Sequence, residues 1–236
     1  MNVLVIDVGG SHVKLARTGV SESRRFDSGR DLTPARLIEQ VHALTSDWEY
    51  EVISLGIPGA VGPNGPTAEP GNLGDGWVGF DFQHAFQRPV RIVNDAAMQA
   101  LGAYDGGRML FLGLGTGLGS TLIAERVVIP LELGALRDLG GEDHEYMGVR
   151  LGKDGLEKSG EPTWQKLATQ FIDMLKSAFC ADYVVIGGGH AALLDPLPEG
   201  VRRGGNDDAF TGGFRLWEEI IEPHDAPAST AFRVVR

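Results

Sequence analysis

The chain has one cysteine, Cys180, in 236 residues. A single thiol excludes an internal disulfide and any multi-cysteine zinc site. It closes the apolar run 174–180 and reads as a small buried hydrophobe at a helix end. Long apolar runs are also missing, since none reaches the roughly 20 residues that span a bilayer. The opening Met1-Asn2-Val3 lacks the basic region of a signal peptide, so a cytoplasmic location is expected. Positive charge is in short supply, with 21 Lys and Arg against 32 Asp and Glu, a net charge of −11 and a pI near 5.0. That balance argues against broad nucleic-acid or anionic-membrane binding but leaves a local phosphate site open. The histidines show no metal spacing, and there is no Gly-x-Ser-x-Gly elbow or Walker-type Gly-Lys-Ser/Thr.

What the chain has is glycine. Its 34 glycines gather at turns between apolar segments, where backbone must approach a ligand or adopt positive φ. With 42% hydrophobic residues there is enough core for one large domain or two small lobes. Residues 2–8 read as a buried strand and 12–18 as its hairpin partner, with a third strand near 23–27. Thr33-Pro34 opens a helix expected to run to about Asp47. Residues 52–57 form the next buried strand. A Gly/Pro/Asn-rich stretch follows over 58–79, long enough to suggest function. A short helix over 81–86, a strand over 90–93 and a helix over 96–104 complete an N-terminal lobe, residues 1–105.

Asp105-Gly106-Gly107 marks the lobe boundary. The second lobe, 106–236, restarts as strand, glycine turn and strand, a topological echo of the opening. Its expected elements are strands over 109–114, 120–124 and 127–130, a loop-rich stretch over 131–162 and a Thr163-capped helix to 179. A strand over 183–186, a helix from about His190, a turn-rich link over 195–206 and a helix over 208–221 follow. That last helix carries Phe210, Phe214, Trp217 and Ile221 on one face and is able to pack back on the first lobe. Alternating strands and helices indicate an α/β fold with ligands at the carboxyl ends of the strands.

Several groups carry chemistry. In Asp7-Val8-Gly9-Gly10-Ser11 the glycines free backbone N–H groups to face a phosphate, Ser11 can donate to it, and Lys14 can add charge. Asp7 can hold Mg²⁺ through water. An ordinary hairpin has the same turn chemistry. Gly113-Leu114-Gly115-Thr116-Gly117-Leu118-Gly119-Ser120 reads as a second anion cradle, and Gly187-Gly188-Gly189 as a third close-approach turn before a helix N-terminus. Asp95 is placed as the N-cap of the helix after it, yet a carboxylate at a strand end can also accept the proton of an attacking hydroxyl. Asn72 and Asp75 in the long loop, with Glu132 and Glu145 beyond the second glycine turn, are further polar candidates.

The order Asp-x-Gly-Gly-Ser, Gly-Asn-Leu near Trp, Asn-Asp-Ala-Ala-Met-Gln-Ala-Leu-Gly, Leu-Gly-Leu-Gly-Thr-Gly-Leu-Gly-Ser, Glu-Leu-Gly and Gly-Gly-Gly resembles the ROK family. Its kinases have the two-lobed actin-like ATPase (ribonuclease H-like) fold, and within it the chain is most similar to polyphosphate- or ATP-dependent glucokinases. The resemblance covers Met1 to about Leu194. It implies that Asp7, Gly9, Gly10 and Ser11 form the first phosphate motif and Gly115, Thr116 and Gly117 the second. It implies that Asp95 deprotonates a sugar 6-hydroxyl and that Asn94, Asn72, Glu132 and Glu145 bind the sugar. Mg²⁺, ATP or polyphosphate as donor, and a homodimer are likewise implied.

Two departures from the family pattern stand out. Ala135 replaces the histidine of the family's Glu-x-Gly-His motif, which removes a sugar contact and relaxes recognition. The family's cysteine-rich zinc motif is absent, as in polyphosphate glucokinases. A hexose kinase, a non-catalytic sugar or nucleotide sensor of the same fold, and a kinase for another small acceptor all remain consistent with the sequence. Lys14, Arg17, Arg24 and Arg25 are placed to guide a polyanionic donor.

Overall fold

The computed structural model describes residues 1–137, 145–205, 207–218 and 232–233. Its architecture starts from β1 (Val3–Val8), buried at every position. A continuous apolar run of this kind suits a strand covered on both faces. Antiparallel β2 (His12–Arg17) pairs on one side of β1 and β3 (Arg24–Asp27) lies outside β2. After α1 (Pro34–Leu44), parallel β4 (Val52–Ile57) takes the other side of β1. A small hairpin, β5 (Val61–Gly62) with β6 (Gly65–Pro66), lies in the long loop. Then come α2 (Phe82–Phe86), β7 (Val90–Asn94) parallel to β4, and α3 (Asp95–Ala103). The first sheet thus runs β3-β2-β1-β4-β7.

The second half repeats this plan. A hairpin of β8 (Arg108–Leu114) and β9 (Leu118–Ala124) is extended by β10 (Val127–Leu131). Helices α4 (Met147–Arg150), α5 (Lys153–Ser159) and α6 (Glu161–Ala178) follow. Then β11 (Tyr183–Gly187) pairs parallel with β8, and β12 (Val201–Arg203) parallel with β11. Helix α7 (Asp208–Arg215) and the short β13 (Phe232–Arg233) end the described chain, giving the sheet order β12-β11-β8-β9-β10-β13. Each sheet therefore has a hairpin-borne central strand with parallel neighbours on its far side. The molecule is a two-lobed α/β fold.

Helix α7 ties the halves together. Its most buried residues are Ala209, Gly212 and Gly213. Small residues here let backbones touch. A Cβ on Gly212 would stand 1.8 Å from the Met98 carbonyl oxygen, and one on Gly102 1.8 Å from that of Asp208. On the first sheet, the Ser54 hydroxyl donates to Gly213 O at 2.5 Å and accepts from Trp217 Nε1 at 3.0 Å. The Arg91 guanidinium stacks 4.3 Å over the Trp217 ring. The expected apolar face is accordingly only half-buried at Phe210, Phe214 and Trp217, and Ile221 lies outside the described residues.

Local chemistry explains the other departures. Helix α1 stops at Leu44, short of Asp47, because the Thr45 hydroxyl bonds back to Val41 O at 2.8 Å and a turn follows from Thr45 to Trp48. Thr163 is not a cap: α6 begins at Glu161, where Gly160 at φ 76 ends α5 and Pro162 occupies the first turn. Two short helices, α4 and α5, occupy the stretch expected to be loop. No full helix follows Gly189; a single 3₁₀ turn, Ala191–Leu193, is stopped before Asp195-Pro196. Cys180 is exposed rather than buried, and left-handed at φ 49, because α6 has already ended at Ala178.

Candidate active site

The three glycine turns and Asp95 meet at the carboxyl ends of the central strands. The β1–β2 turn is closed by Gly9 N donating to His12 O at 3.0 Å. It is braced from behind by Ser28, whose hydroxyl donates to Gly9 O at 2.5 Å and whose N–H donates to Ser11 O at 3.0 Å. The Ser11 side chain is left exposed. Gly10 is the point of convergence. A Cβ there would lie 2.9 Å from both Asn72 Nδ2 and Thr116 Oγ1. The long loop and the second glycine turn thus close on the first from opposite lobes.

Asp7, the last but one residue of β1, is 5% exposed, and its Oδ1 is buried with no hydrogen-bond partner. Burial raises its pKa to about 6, opposed by Lys14, which faces it across the β1–β2 ladder. An orphaned buried carboxylate oxygen is costly unless something outside the chain engages it.

Asp95 is the first residue of α3, not its cap. Asn94 caps instead, its Oδ1 accepting from Ala97 N at 3.1 Å while its Nδ2 donates to Gly59 O at 2.8 Å. Both residue types cap well. The bond to Gly59 holds Asn94 in the extended conformation a cap needs and advances the helix by one residue. Asp95 Oδ1 accepts from Ala96 N at 2.9 Å. Its pKa is raised to about 7, first by burial, then by the Asp7 charge and more weakly by Glu132. Glu132 is itself shifted upward by burial. Asp7, Asp95 and Glu132 thus form one electrostatic group drawn from both lobes.

Not every candidate joins that group. Glu145 pairs with Lys158 at 3.8 Å and is not among the charges that shift Asp95. Its segment nevertheless meets that of Glu132, because a Cβ on Gly148 would lie 3.1 Å from Gly134 O. Ala135 closes the 3₁₀ turn after Glu132 with an exposed methyl. Gly115 and Gly117 form the tip of the β8–β9 hairpin, joined by Gly115 N to Gly117 O at 3.1 Å. Gly188, at φ 81, abuts this hairpin so closely that a Cβ would sit 2.2 Å from Leu114 O. Gly187 packs on Phe111, whereas Gly189 faces open space. His190 follows, edge-on to Trp164 at 5.9 Å, its Nδ1 buried and unpartnered. Lys14 and Arg25 are exposed, but Arg24 is paired with Asp47 and Arg17 donates to Glu49 O at 2.8 Å, so neither is free to guide a donor.

Two supporting residues carry no sequence signal of their own. Glu69 accepts from Trp77 N at 2.9 Å and Val78 N at 3.3 Å, closing the loop that presents Asn72. Gly152 lies against the second turn, a Cβ there being 2.5 Å from Thr116 O. A surface pocket of about 670 Å³ lies between Arg30–Arg36 and Gly71–Asp75, and none of the sequence-predicted site residues lines it except Asp75. Among the described residues no helix is long and apolar enough to cross a membrane, and no group of three His, Cys, Asp or Glu could hold a metal ion.

No protein-family model matches the chain. It is 26% identical over 210 residues to a polyphosphate glucokinase of Mycobacterium leprae, a match spanning 80% of this chain and 64% of that protein. The chain therefore matches less than two thirds of that relative's length. The fold superposes on an inorganic polyphosphate/ATP-glucomannokinase from Arthrobacter sp. strain KM with a TM-score of 0.77 at 21% identity, covering 90% of this chain and 96% of that one. A ROK family glucokinase from Streptomyces griseus, solved with glucose and AMPPNP, superposes at 0.68 and 16% identity over 92% and 99% of the two chains. Sequence likeness along most of its length and this shared fold agree with its motifs: the chain is similar to the sugar kinases of the ROK family.

Proposed function

We propose that the protein transfers a phosphoryl group from ATP or polyphosphate to the 6-hydroxyl of a hexose such as glucose. The observation that carries this reading is Asp95: a carboxylate with a pKa near 7, at a strand-to-helix junction beside two phosphate-type glycine turns. A base is most effective when its pKa lies near the working pH. Here the carboxylate accepts the hydroxyl proton as the oxygen attacks. Gly9, Gly10 and Ser11 from one lobe and Gly115, Thr116 and Gly117 from the other bracket the transferred group, and Gly187, Gly188 and Gly189 line the donor's far side. Asn72, Asn94, Glu132 and Glu145 orient the acceptor. Phosphoryl transfer depends chiefly on such positioning and on charge stabilisation.

The residues fit Mg²⁺, because the unpartnered Asp7 Oδ1 offers one buried carboxylate oxygen. Mg²⁺ takes few protein carboxylates and completes its shell with water and phosphate. When bound, it neutralises charge on the donor phosphates. The names of the relatives support the same donor pair, ATP and polyphosphate.

A coupled phosphorylation assay crossing both donors with a sugar panel tests the reading. Asp95→Asn is expected to bind sugar and to lose turnover by about three orders of magnitude or more. An undiminished rate in Asp95→Asn removes Asp95 from the mechanism. Sugar binding without transfer in the wild-type protein replaces the kinase with a sensor, a reading favoured by Ala135. Transfer only to non-hexose acceptors moves the acceptor class.

A further inference from the structure

The last residue of the second glycine motif is a serine that does not face the turn. Ser120 is 1% exposed on β9. Its hydroxyl donates to Leu131 O at 2.9 Å and accepts from Leu133 N at 3.0 Å. These are the backbone groups on either side of Glu132, so one side chain grips the peptide before that residue and the peptide after it. The grip comes where the β9–β10 ladder ends. Leu131 is the last paired residue of β10, opposite Ser120 itself. Glu132 has left the strand, at φ −118 and ψ 58, and a 3₁₀ turn begins at Leu133. No ladder bond fixes the backbone there, and the Ser120 hydroxyl stands in for one.

We propose that Ser120 is a positioning residue for Glu132: it fixes the direction in which the Glu132 carboxylate enters the acceptor site, and so sets recognition of the acceptor's hydroxyl groups. This rests on the reading of the protein as a sugar kinase and names a determinant of its acceptor specificity. A merely structural serine would contribute to stability alone. A positioning serine acts through the carboxylate it aims, and acts only when that carboxylate is present. The histidine expected three residues after Glu132 is Ala135, so one sugar contact is missing and acceptor recognition depends more heavily on Glu132.

A double-mutant cycle on the intact chain tests this, with Ser120→Ala, Glu132→Ala and the double variant assayed for acceptor KM, donor KM and kcat, and with melting temperature as a control. In Ser120→Ala, acceptor KM is expected to rise about tenfold, with donor KM unchanged and kcat within about threefold of wild type. In the Glu132→Ala background the same substitution is expected to change acceptor KM by less than twofold. Ser120→Cys, which keeps a weak donor and acceptor, is expected to fall between wild type and Ser120→Ala; it carries the cycle if the alanine variant does not fold. Effects that multiply in the double variant, or an acceptor KM unchanged in Ser120→Ala, overturn the proposal while leaving the kinase reading intact. A wild-type protein that phosphorylates no acceptor overturns the kinase reading, and the proposal with it.

Discussion

Gly10→Ala isolates the convergence of the two lobes from everything else in the site. The backbone of Gly10 does not have positive φ, so alanine is conformationally permitted there. The new methyl would stand 2.9 Å from Asn72 Nδ2 and 2.9 Å from Thr116 Oγ1, whereas ordinary contact begins at 3.4 Å. Each side chain must therefore retreat by about half an ångström. Asn72 Nδ2 ends a flexible side chain, and Thr116 Oγ1, on a stiffer β-branched residue, yields by a χ1 shift at an exposed hairpin tip, so the cost to folding is about 1 kcal/mol, the low end for overpacking. The cost to phosphoryl transfer is larger, because a misplacement of about 1 Å lowers rates about a hundredfold. Half that shift on two groups that bracket the reaction gives a combined loss of about a hundredfold in kcat/KM, or about 2.7 kcal/mol. The assay is steady-state phosphorylation with a melting curve on the same sample. Gly71→Ala is the control, since its Cβ would meet nothing within 4 Å. A Gly10→Ala enzyme within threefold of wild type would refute the idea that Asn72 and Thr116 meet across the phosphate turn during turnover.

Further outcomes follow from the same geometry. Asp95 must be ionised to accept a proton, so kcat/KM is expected to rise about tenfold per pH unit up to about 7 and then level off; a flat profile between pH 5.5 and 8 contradicts the assignment. The raised pKa values of Asp7 and Asp95 have the opposite effect on stability. The folded chain holds protons that the unfolded chain, with carboxyls near 3.8, has already released, so stability falls as pH rises from about 4 through 7. Asp7→Asn is expected to raise the melting temperature at pH 8 while abolishing Mg²⁺-dependent turnover, and a lower melting temperature would show that the buried carboxylate is compensated within the chain. Glu69→Ala opens the base of the Asn72 loop and is expected to raise acceptor KM about three- to tenfold and to speed hydrogen exchange at the Trp77 and Val78 amides. Gly188→Ala meets both a left-handed backbone and the Leu114 carbonyl, and is expected to cost about 2 kcal/mol or more in chemical denaturation.

Legibility from sequence followed the physics of each segment. β1 and β4 were plain because strands buried on both faces are apolar at nearly every position. The second lobe's echo of the first was legible from its strand, glycine turn and strand order. The start of α3 was missed by one residue because Asn94 and Asp95 cap equally well, and the contact that decides between them, Asn94 to Gly59, is tertiary. The helix expected after Gly189 had the right apolar composition, but the chain there turns once and then meets Asp195-Pro196. Cys180 was misjudged because exposure at a helix end depends on where the helix stops. The meeting of Asp95 with Glu132 depends on the register of β9 and β10 and on α3 lying against β9, where a Cβ on Gly119 would come 2.9 Å from Ala96 Cβ. Local pattern does not encode such a crossing. The same holds for Ser120 and Glu69, whose significance is only in whose backbone they hold.

The crossing of α3 and α7 has a mechanical consequence. Gly102 against Asp208 and Gly212 against Met98 place main chain on main chain, with no side-chain layer able to shear. Helix α3 carries Asp95 at its other end, and α7 is bolted to the first sheet through Ser54. Backbone contacts of this kind leave no room for a side chain at the crossing. The direction of α3, and with it the place of Asp95, is therefore held from the far end of the helix by two glycines that admit no larger residue.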